Sequence, residues 1–311
     1  MNLHKDIEHL PHFNKAVITI GTFDGVHQGH QKIIDQLKAE AKRIDGETVI
    51  ITFHPHPRKI VHSGNDVKLI TTIEERIELL SAAGIDHLVI SPFTRGFSEL
   101  EPRDYVETFL KKRFNPEVVI IGYDHKFGKG RKGDYKLLEE YSAKGFFTLK
   151  EIPQHVINNN TVSSTQIRDF IQSGQIENAN SLLGYEFNFE GLVVKGDQRG
   201  RTIGFPTANL ELTNEEKIIP GNGVYAVEIN LATYYSPLTY KGMMNIGIRP
   251  TVDGSRKTIE VNLFDFNEDI YGKTLRVFVR KFIREEKKFS GIDELKSQLQ
   301  KDAVAVKQVL T

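Results

Sequence analysis

The hydrophobic pattern of this chain changes period at Gly184, and that change restricts its fold more than any other feature. Before Gly184, short β-branched runs alternate with stretches whose apolar residues recur at helical spacing. Ala16 to Ile20, Glu47 to Phe53, Asp86 to Ile90 and Glu117 to Ile121 read as strands. Lys32 to Arg43 (apolar at Ile33, Ile34, Leu37 and Ala41), a stretch opened by the Thr72/Glu75 capping box and closed by Gly84, and Pro102 to Arg113 read as helices. Such alternation predicts a doubly wound parallel α/β sheet with its ligand site at the strand carboxyl ends. After helical turns from Gln175 to Leu183, the runs Glu186 to Glu190, Val224 to Ile229, Ile259 to Phe264 and Leu275 to Val279 alternate apolar with polar. They predict a small antiparallel β-barrel or sandwich, with a final helix Ile292 to Leu310 packing Leu295, Leu299 and Val306 against it. A chain of 311 residues exceeds what one core organises, so two domains are expected, 1–184 and 185–311.

Charge and composition narrow the partners. Lys+Arg and Asp+Glu both number 41, and the resulting zero net charge argues against a protein that coats nucleic acid. No apolar run approaches the roughly 20 residues that span a bilayer. The N-terminal stretch, with His4, Lys5, Asp6, Glu8 and His9, lacks the apolar centre of a signal peptide. Cysteine is absent, which removes disulfide and thiolate chemistry and fits a reducing interior. The expectation is a cytoplasmic protein with no membrane and no nucleic-acid partner.

Within the α/β half, Gly21-Thr22-Phe23-Asp24-Gly25-Val26-His27-Gln28-Gly29-His30 turns the first strand into the first helix. His27 and His30 stand three apart at a helix N-terminus, where unpaired N–H groups and the helix dipole favour an anion such as a triphosphate. A zinc site is the alternative for paired imidazoles, but it needs a third ligand that the motif does not supply. The stretch His54-Pro55-His56-Pro57-Arg58 reads as an extended loop, because proline at alternate positions forbids helix; His54 and His56 line a site there or are plain loop residues. After Ile121, a loop from Gly122 to Asp134 carries Asp124, Lys129, Arg131 and Lys132 among Gly128, Gly130 and Gly133. Its G-x-G-x-x-G spacing, with Glu151 near the end of the next strand, admits a dinucleotide oxidoreductase. Six residues separate the strand from the first glycine, however, and a cationic loop closing over phosphates explains the charges better. Val162-Ser163-Ser164-Thr165-Gln166-Ile167-Arg168 opens a helix running to Gln172, with Ser163 or Ser164 as N-cap; its hydroxyls and Arg168 are candidates for β- and γ-phosphates.

In the β half, chemistry gathers in Lys195-Gly196-Asp197-Gln198-Arg199-Gly200-Arg201-Thr202-Ile203-Gly204-Phe205-Pro206-Thr207-Ala208-Asn209. Glycines there let backbone N–H groups approach phosphate, beside Lys195, Arg199 and Arg201; a plain Gly-rich hairpin is the alternative. Thr207 and Asn209, two apart on an extended segment, point the same way and offer neutral oxygens suited to Mg²⁺ carried by ATP. Glu260 lies on a strand, either as an ordinary outward carboxylate or as a general base for an alcohol acceptor.

Taken together, these motifs resemble the prokaryotic bifunctional riboflavin kinase/FMN adenylyltransferase (FAD synthetase) family over nearly the whole chain. In the first half the likeness rests on G-T-F-D-G-V-H-Q-G-H, F-H-P-H-P, G-Y-D-H-K-F-G and S-S-T-Q-I-R. In the second it rests on G-R-T-I-G-F-P-T-A-N, G-V-Y-A-V, N-I-G-I-R-P-T and the strand bearing Glu260. The resemblance implies ATP and the flavins riboflavin, FMN and FAD as substrates and products, with Mg²⁺. His27 and His30 would bind ATP phosphates with Ser164, Thr165 and Arg168, and Gly21, Thr22, Phe23, Asp24, Asp124 and Arg131 would line the same nucleotide. Thr207 and Asn209 would hold Mg²⁺-ATP in the kinase, with Gly196, Gly200, Arg201, Gly204 and Pro206 around it. Glu260 would be its base. Flavin contacts would come from Asn245, Gly247, Arg249 and Glu260, in loops near Asn245 to Thr251 and the last helix. Thr22 replaces a frequent Asn, and His125 a frequent aromatic. Two rivals stand beside this reading: a nucleotidyltransferase for another substrate, and a flavin-binding or regulatory protein with one or both sites inactive.

Overall fold

The computed structural model describes residues 1–61, 67–122, 125–152, 162–196, 199–231, 239–251 and 254–311. They form two compact units, Met1–Ser164 and Thr165–Thr311.

The first unit is built on a six-stranded parallel sheet. Its strands are β1 (Asn2–His4), β2 (Val17–Ile20), β3 (Thr48–His54), β4 (His87–Pro92), β5 (Val118–Gly122) and β6 (Thr148–Ile152), in the order β1-β4-β3-β2-β5-β6. All four residues of β2 are buried, as expected of a strand covered on both faces. One core cluster gathers Ile18, Val49, Val119 and Phe109, the other Val17, Ile34, Leu37 and Leu80. From β2 the chain winds one way through β3 and β4, then returns to β5 and winds the other way to β6. The topological switch point, where sheets of this kind bind ligands, therefore lies between β2 and β5.

Local signals set the helices. The Thr72–Glu75 capping box is formed in both directions and starts the helix Ile73–Ala82. The helix Gln28–Ile44 buries Ile34, Leu37 and Ala41. Two expectations need correction. The extended loop expected after His54 becomes a short helix, Pro57–Val61: Pro57 takes its first position, where a missing N–H costs nothing, and the buried His56 accepts the Arg58 N–H on Nδ1 at 3.2 Å. His54 itself is exposed. The helix expected from Pro102 to Arg113 has π geometry over Tyr105–Lys111, where Tyr105, Val106, Phe109 and Leu110 are buried.

The second unit takes up the helix Ser164–Gln172 from its second residue and continues with the helix Ile176–Leu183, ended by Gly184 in the left-handed conformation (φ 80°). Asn180 fastens that helix to the strands, donating to the Val279 carbonyl at 2.9 Å and accepting the Phe187 N–H at 2.8 Å. Strands β7 (Asn188–Val194), β8 (Ala208–Leu212), β9 (Gly223–Leu231), β10 (Thr239–Thr251), β11 (Gly254–Leu263) and β12 (Thr274–Arg284) close an antiparallel barrel in the order β10-β11-β8-β7-β12-β9. Registers put Met244, Ile246, Ile259, Val261, Ala208 and Leu210 on one buried face. The intervening residues face outward. The helix Ile292–Val309 covers part of the outside: Val306 and Leu310 bury with Ala226 and Met243, while Phe205, Phe264 and Leu299 pack around them, and Leu295 is half-buried. Residues 245–251, expected as loop, belong to β10. Pro250 stands one position from the strand end, where a lost ladder donor is tolerated. Among the described residues no helix is long and apolar enough to cross a membrane.

Candidate active sites

The Gly21–His30 turn leaves β2 at the switch point, and its backbone is unusual. Phe23 (φ 48°), Gly25 (φ 85°) and Val26 (φ 36°) are left-handed, a conformation costing roughly 1–2 kcal/mol for a residue with a Cβ. The turn is held there by buried Asp24, whose carboxylate accepts the Ile70 N–H (3.2 Å) and Thr71 N–H (2.9 Å), while the Gly25 N–H donates to Thr71 Oγ1 (3.0 Å). Arg76, buried on the helix Ile73–Ala82, stands 3.9 Å from the same carboxylate and donates to Thr52 Oγ1 at 3.2 Å. Thr52 in turn donates to the Thr22 carbonyl. Phe23 is buried, with Gly21 packed on its ring; Gly21 and Thr22 are half-buried. Asp24 is fully enclosed, which makes it a support for the turn rather than a group that reaches a nucleotide.

The structure brings the two imidazoles together. His27 caps the helix Gln28–Ile44, its Nδ1 accepting the His30 N–H at 3.4 Å, so the neutral ring carries its proton on Nε2. The His27 and His30 rings stack at 3.8 Å with 13° between planes, and Phe23 lies 4.8 Å from His30. Burial, then His27 and Arg76, holds the His30 pKa well below its ordinary 6.5, so this ring is neutral at pH 7. Its Nδ1 is enclosed, with no hydrogen-bond partner among the described residues. Gly29 is tight: a Cβ would stand 3.2 Å from the His27 ring and 3.5 Å from the Val162 carbonyl. Ser164 Oγ donates to the Asp24 carbonyl at 3.0 Å. Beyond it on the helix, Thr165 is exposed and Arg168 half-buried.

The glycine run after β5 does not make the tight strand-to-helix turn of a dinucleotide site. Phe127 and Gly133 form a β-bridge, Lys129–Arg131 is a single 3₁₀ turn, and the next helix, Tyr135–Ala143, starts only after its Asp134 cap. Arg131 and Lys132 are exposed on that turn, on the β5 side of the switch point. Asp124 lies outside the described residues. His125 is half-buried against Phe127, ring centroids 5.8 Å apart.

In the barrel, the register assembles the second site. Glu260 on β11 stands opposite Asn209 on β8 and Asn245 on β10, so three polar side chains form a row across three strands on the outer face. Thr207, just before β8, places Oγ1 at 3.5 Å from Glu260 Oε2, and Arg249 donates to Glu260 Oε1 at 2.5 Å. Gly196 and Gly200 lie close to the row. A Cβ on Gly196 would lie 2.2 Å from Asn209 Nδ2, and one on Gly200 would lie 2.2 Å from the Phe205 carbonyl and 3.4 Å from Thr207 Oγ1. Arg199–Thr202 forms one helical turn, Gly204 is left-handed (φ 86°), and Asn262 donates to the Pro206 carbonyl at 2.6 Å. Arg201, Gly204 and Pro206 are exposed. Gly247 is buried, and Glu286's carboxylate fills the space where its Cβ would stand.

Arg76, Asn262 and Glu286 join these sites from outside the motifs. Arg76 had a signal: with Ile73, Ile77 and Leu80 around it, a charged residue falls on the helix's apolar face. The other two have none, because their partners come from distant segments.

Comparison with known proteins agrees with this division. Residues 10–166 match the FAD synthetase family model and residues 183–310 the riboflavin kinase model. The chain belongs to the bifunctional riboflavin kinase/FMN adenylyltransferase family. It is 36% identical over 293 residues to the bifunctional riboflavin kinase/FMN adenylyltransferase of Escherichia coli K12, covering 94% of this chain and 92% of that one. The Bacillus subtilis protein of the same name is 38% identical, covering 93% and 90%. A crystal structure described as a macrolide-efflux protein from Streptococcus pneumoniae superposes with a TM-score of 0.85 at 30% identity, covering 98% of both chains. As in the rest of this family, the chain has two transferase activities, phosphorylating riboflavin to FMN in its C-terminal part and adenylylating FMN to FAD in its N-terminal part.

Proposed function

We propose that residues 1–184 carry the adenylyltransferase chemistry at the β2/β5 switch point and residues 185–311 the kinase chemistry on the Asn209–Glu260–Asn245 row. The observation that carries the assignment is that row, with Thr207 beside Glu260 Oε2.

In the kinase, Glu260 Oε2 takes the proton of the ribityl 5′-hydroxyl as its oxygen bonds to the γ-phosphorus of ATP. The bond from that phosphorus to the β–γ bridging oxygen breaks, and ADP leaves. Thr207 and Asn209 fit Mg²⁺: both offer neutral hard oxygens, and glycine at 196 and 200 lets the backbone come close to them where a Cβ would clash. Bound Mg²⁺ would spread charge over the β- and γ-phosphates. The backbone N–H groups of Gly196 and Gly200 and the exposed Arg201 would serve the same phosphates, with Gly204 and Pro206 shaping the turn beside them. Asn245 and Gly247, on the outer face of β10, border the flavin.

In the adenylyltransferase, an FMN phosphate oxygen attacks the α-phosphorus of ATP and the bond to the α–β bridging oxygen breaks, releasing pyrophosphate. That phosphate is already anionic, so no protein base is required. His27, with its proton on Nε2, and neutral His30 donate to phosphate oxygens, and Ser164 and Arg131 add donors and positive charge. Gly21, Thr22 and Phe23 shape the turn against the nucleotide. Zero net charge and the absence of cysteine support a cytoplasmic protein that acts on small molecules rather than nucleic acid.

The test is Glu260→Gln assayed for FMN formation from riboflavin and Mg²⁺-ATP. Turnover should fall by about 10²–10⁴-fold with the thermal midpoint retained. Unchanged turnover would remove Glu260 from the mechanism.

A further inference from the structure

One oxygen of Glu260 is already taken. Arg249 Nη2 donates to Oε1 at 2.5 Å, while Oε2 is the oxygen 3.5 Å from Thr207 Oγ1. The β10–β11 register makes this contact a long reach. Arg249 stands opposite position 256, four residues along the ladder from the Asn245–Glu260 pair. Its side chain therefore runs back along the strand to reach Glu260. Arg249 is 44% and Glu260 18% exposed, so the ion pair adds little to stability. Its effect is on direction. A glutamate side chain has three rotatable bonds, and a guanidinium on Oε1 removes the rotamers that would turn Oε2 away from Thr207.

The geometry points to Arg249 as the positioning residue of the kinase base: it holds Oε1 so that Oε2 meets the incoming hydroxyl. This differs from the flavin contact that the family resemblance implies for it, and it rests on the reading of Glu260 as the base. A guanidinium suits the task because its planar fork fixes a carboxylate's orientation, which an ammonium does less well.

The experiment uses the full chain with Arg249→Gln, Arg249→Lys, Glu260→Gln and the Arg249→Gln/Glu260→Gln pair. Riboflavin kinase kcat and KM are measured at saturating Mg²⁺-ATP, and riboflavin affinity without ATP by quenching of its own fluorescence. Arg249→Gln should lower kcat roughly ten- to hundredfold. Its riboflavin Kd should stay within about twofold of the original, and Arg249→Lys should recover part of kcat. On the Glu260→Gln background, Arg249→Gln should change nothing further, because an effect transmitted through Glu260 has nothing left to act on. A raised Kd with unchanged kcat would make Arg249 a flavin contact. A raised kcat would make it a block on the base. Either result overturns the proposal, as would an undiminished kcat or multiplying effects in the double variant. Full turnover in Glu260→Gln alone would instead overturn the assignment of the base, whatever Arg249 does.

Discussion

Position 196 shows how little room the kinase loop leaves, since a Cβ there would stand 2.2 Å from the Asn209 amide nitrogen. Gly196→Ala must therefore displace either the loop or Asn209. It should cut riboflavin phosphorylation by about two orders of magnitude or more while FAD formation from supplied FMN continues; a kinase assay beside an adenylyltransferase assay decides it. His30 gives a prediction in pH. Its folded pKa lies below the ordinary 6.5, so the unfolded chain binds the proton more readily and stability falls as pH drops below that value. Thermal midpoints between pH 7.5 and 5.5 should decline less in His30→Gln than in the parent. Equal declines would mean the buried ring contributes nothing. Much of this scale was legible in sequence: His27 and His30 at a helix start, and Thr207 and Asn209 two apart on an extended segment. The partners were not. Nothing local shows that Asp24 will be enclosed by Ile70, Thr71 and Arg76, or that Arg249 will reach Glu260.

Among the elements, the last helix has the clearest anchor. Asp302, buried, accepts from Arg284 Nε at 2.9 Å and Nη2 at 2.7 Å, joining Ile292–Val309 to β12. Asp302→Ala strips a mostly buried arginine of its partner and should destabilise the second unit by about 2–3 kcal/mol, visible as a lower urea midpoint. Because the helix packs with Phe205 and Met243, close in sequence to Thr207 and Asn245, riboflavin should also bind more weakly. Elements with strong periodicity or caps were readable: the Thr72 capping box, Gly184 as a helix stop, and the alternation of β11 and β12. Those set by tertiary partners were not. Residues 245–251 look like a loop by their Gly and Pro, and become strand because β11 offers a continuous antiparallel edge. Tyr105–Lys111 has nothing in its sequence to announce a π turn. The strand Asn2–His4 is too short to show a period and is fixed by its pairing with β4.

At the scale of the molecule, two units with separate cores carry reactions linked by one compound: FMN is the kinase's product and the adenylyltransferase's substrate. The change of period at Gly184 announced the two architectures. Their chemistry differs in kind, since an alcohol must lose a proton to attack phosphorus and an FMN phosphate has none to lose. Only the barrel therefore requires a carboxylate base. The central claim is that each site works without the other, and one measurement tests it most directly. Riboflavin and Mg²⁺-ATP are given to His30→Ala, to Glu260→Gln, and to an equimolar mixture of the two, and the flavins are separated chromatographically. His30→Ala should stop at FMN, Glu260→Gln should leave riboflavin unchanged, and the mixture should make FAD. A mixture that makes no FAD, or a His30→Ala variant that makes no FMN, would contradict the account.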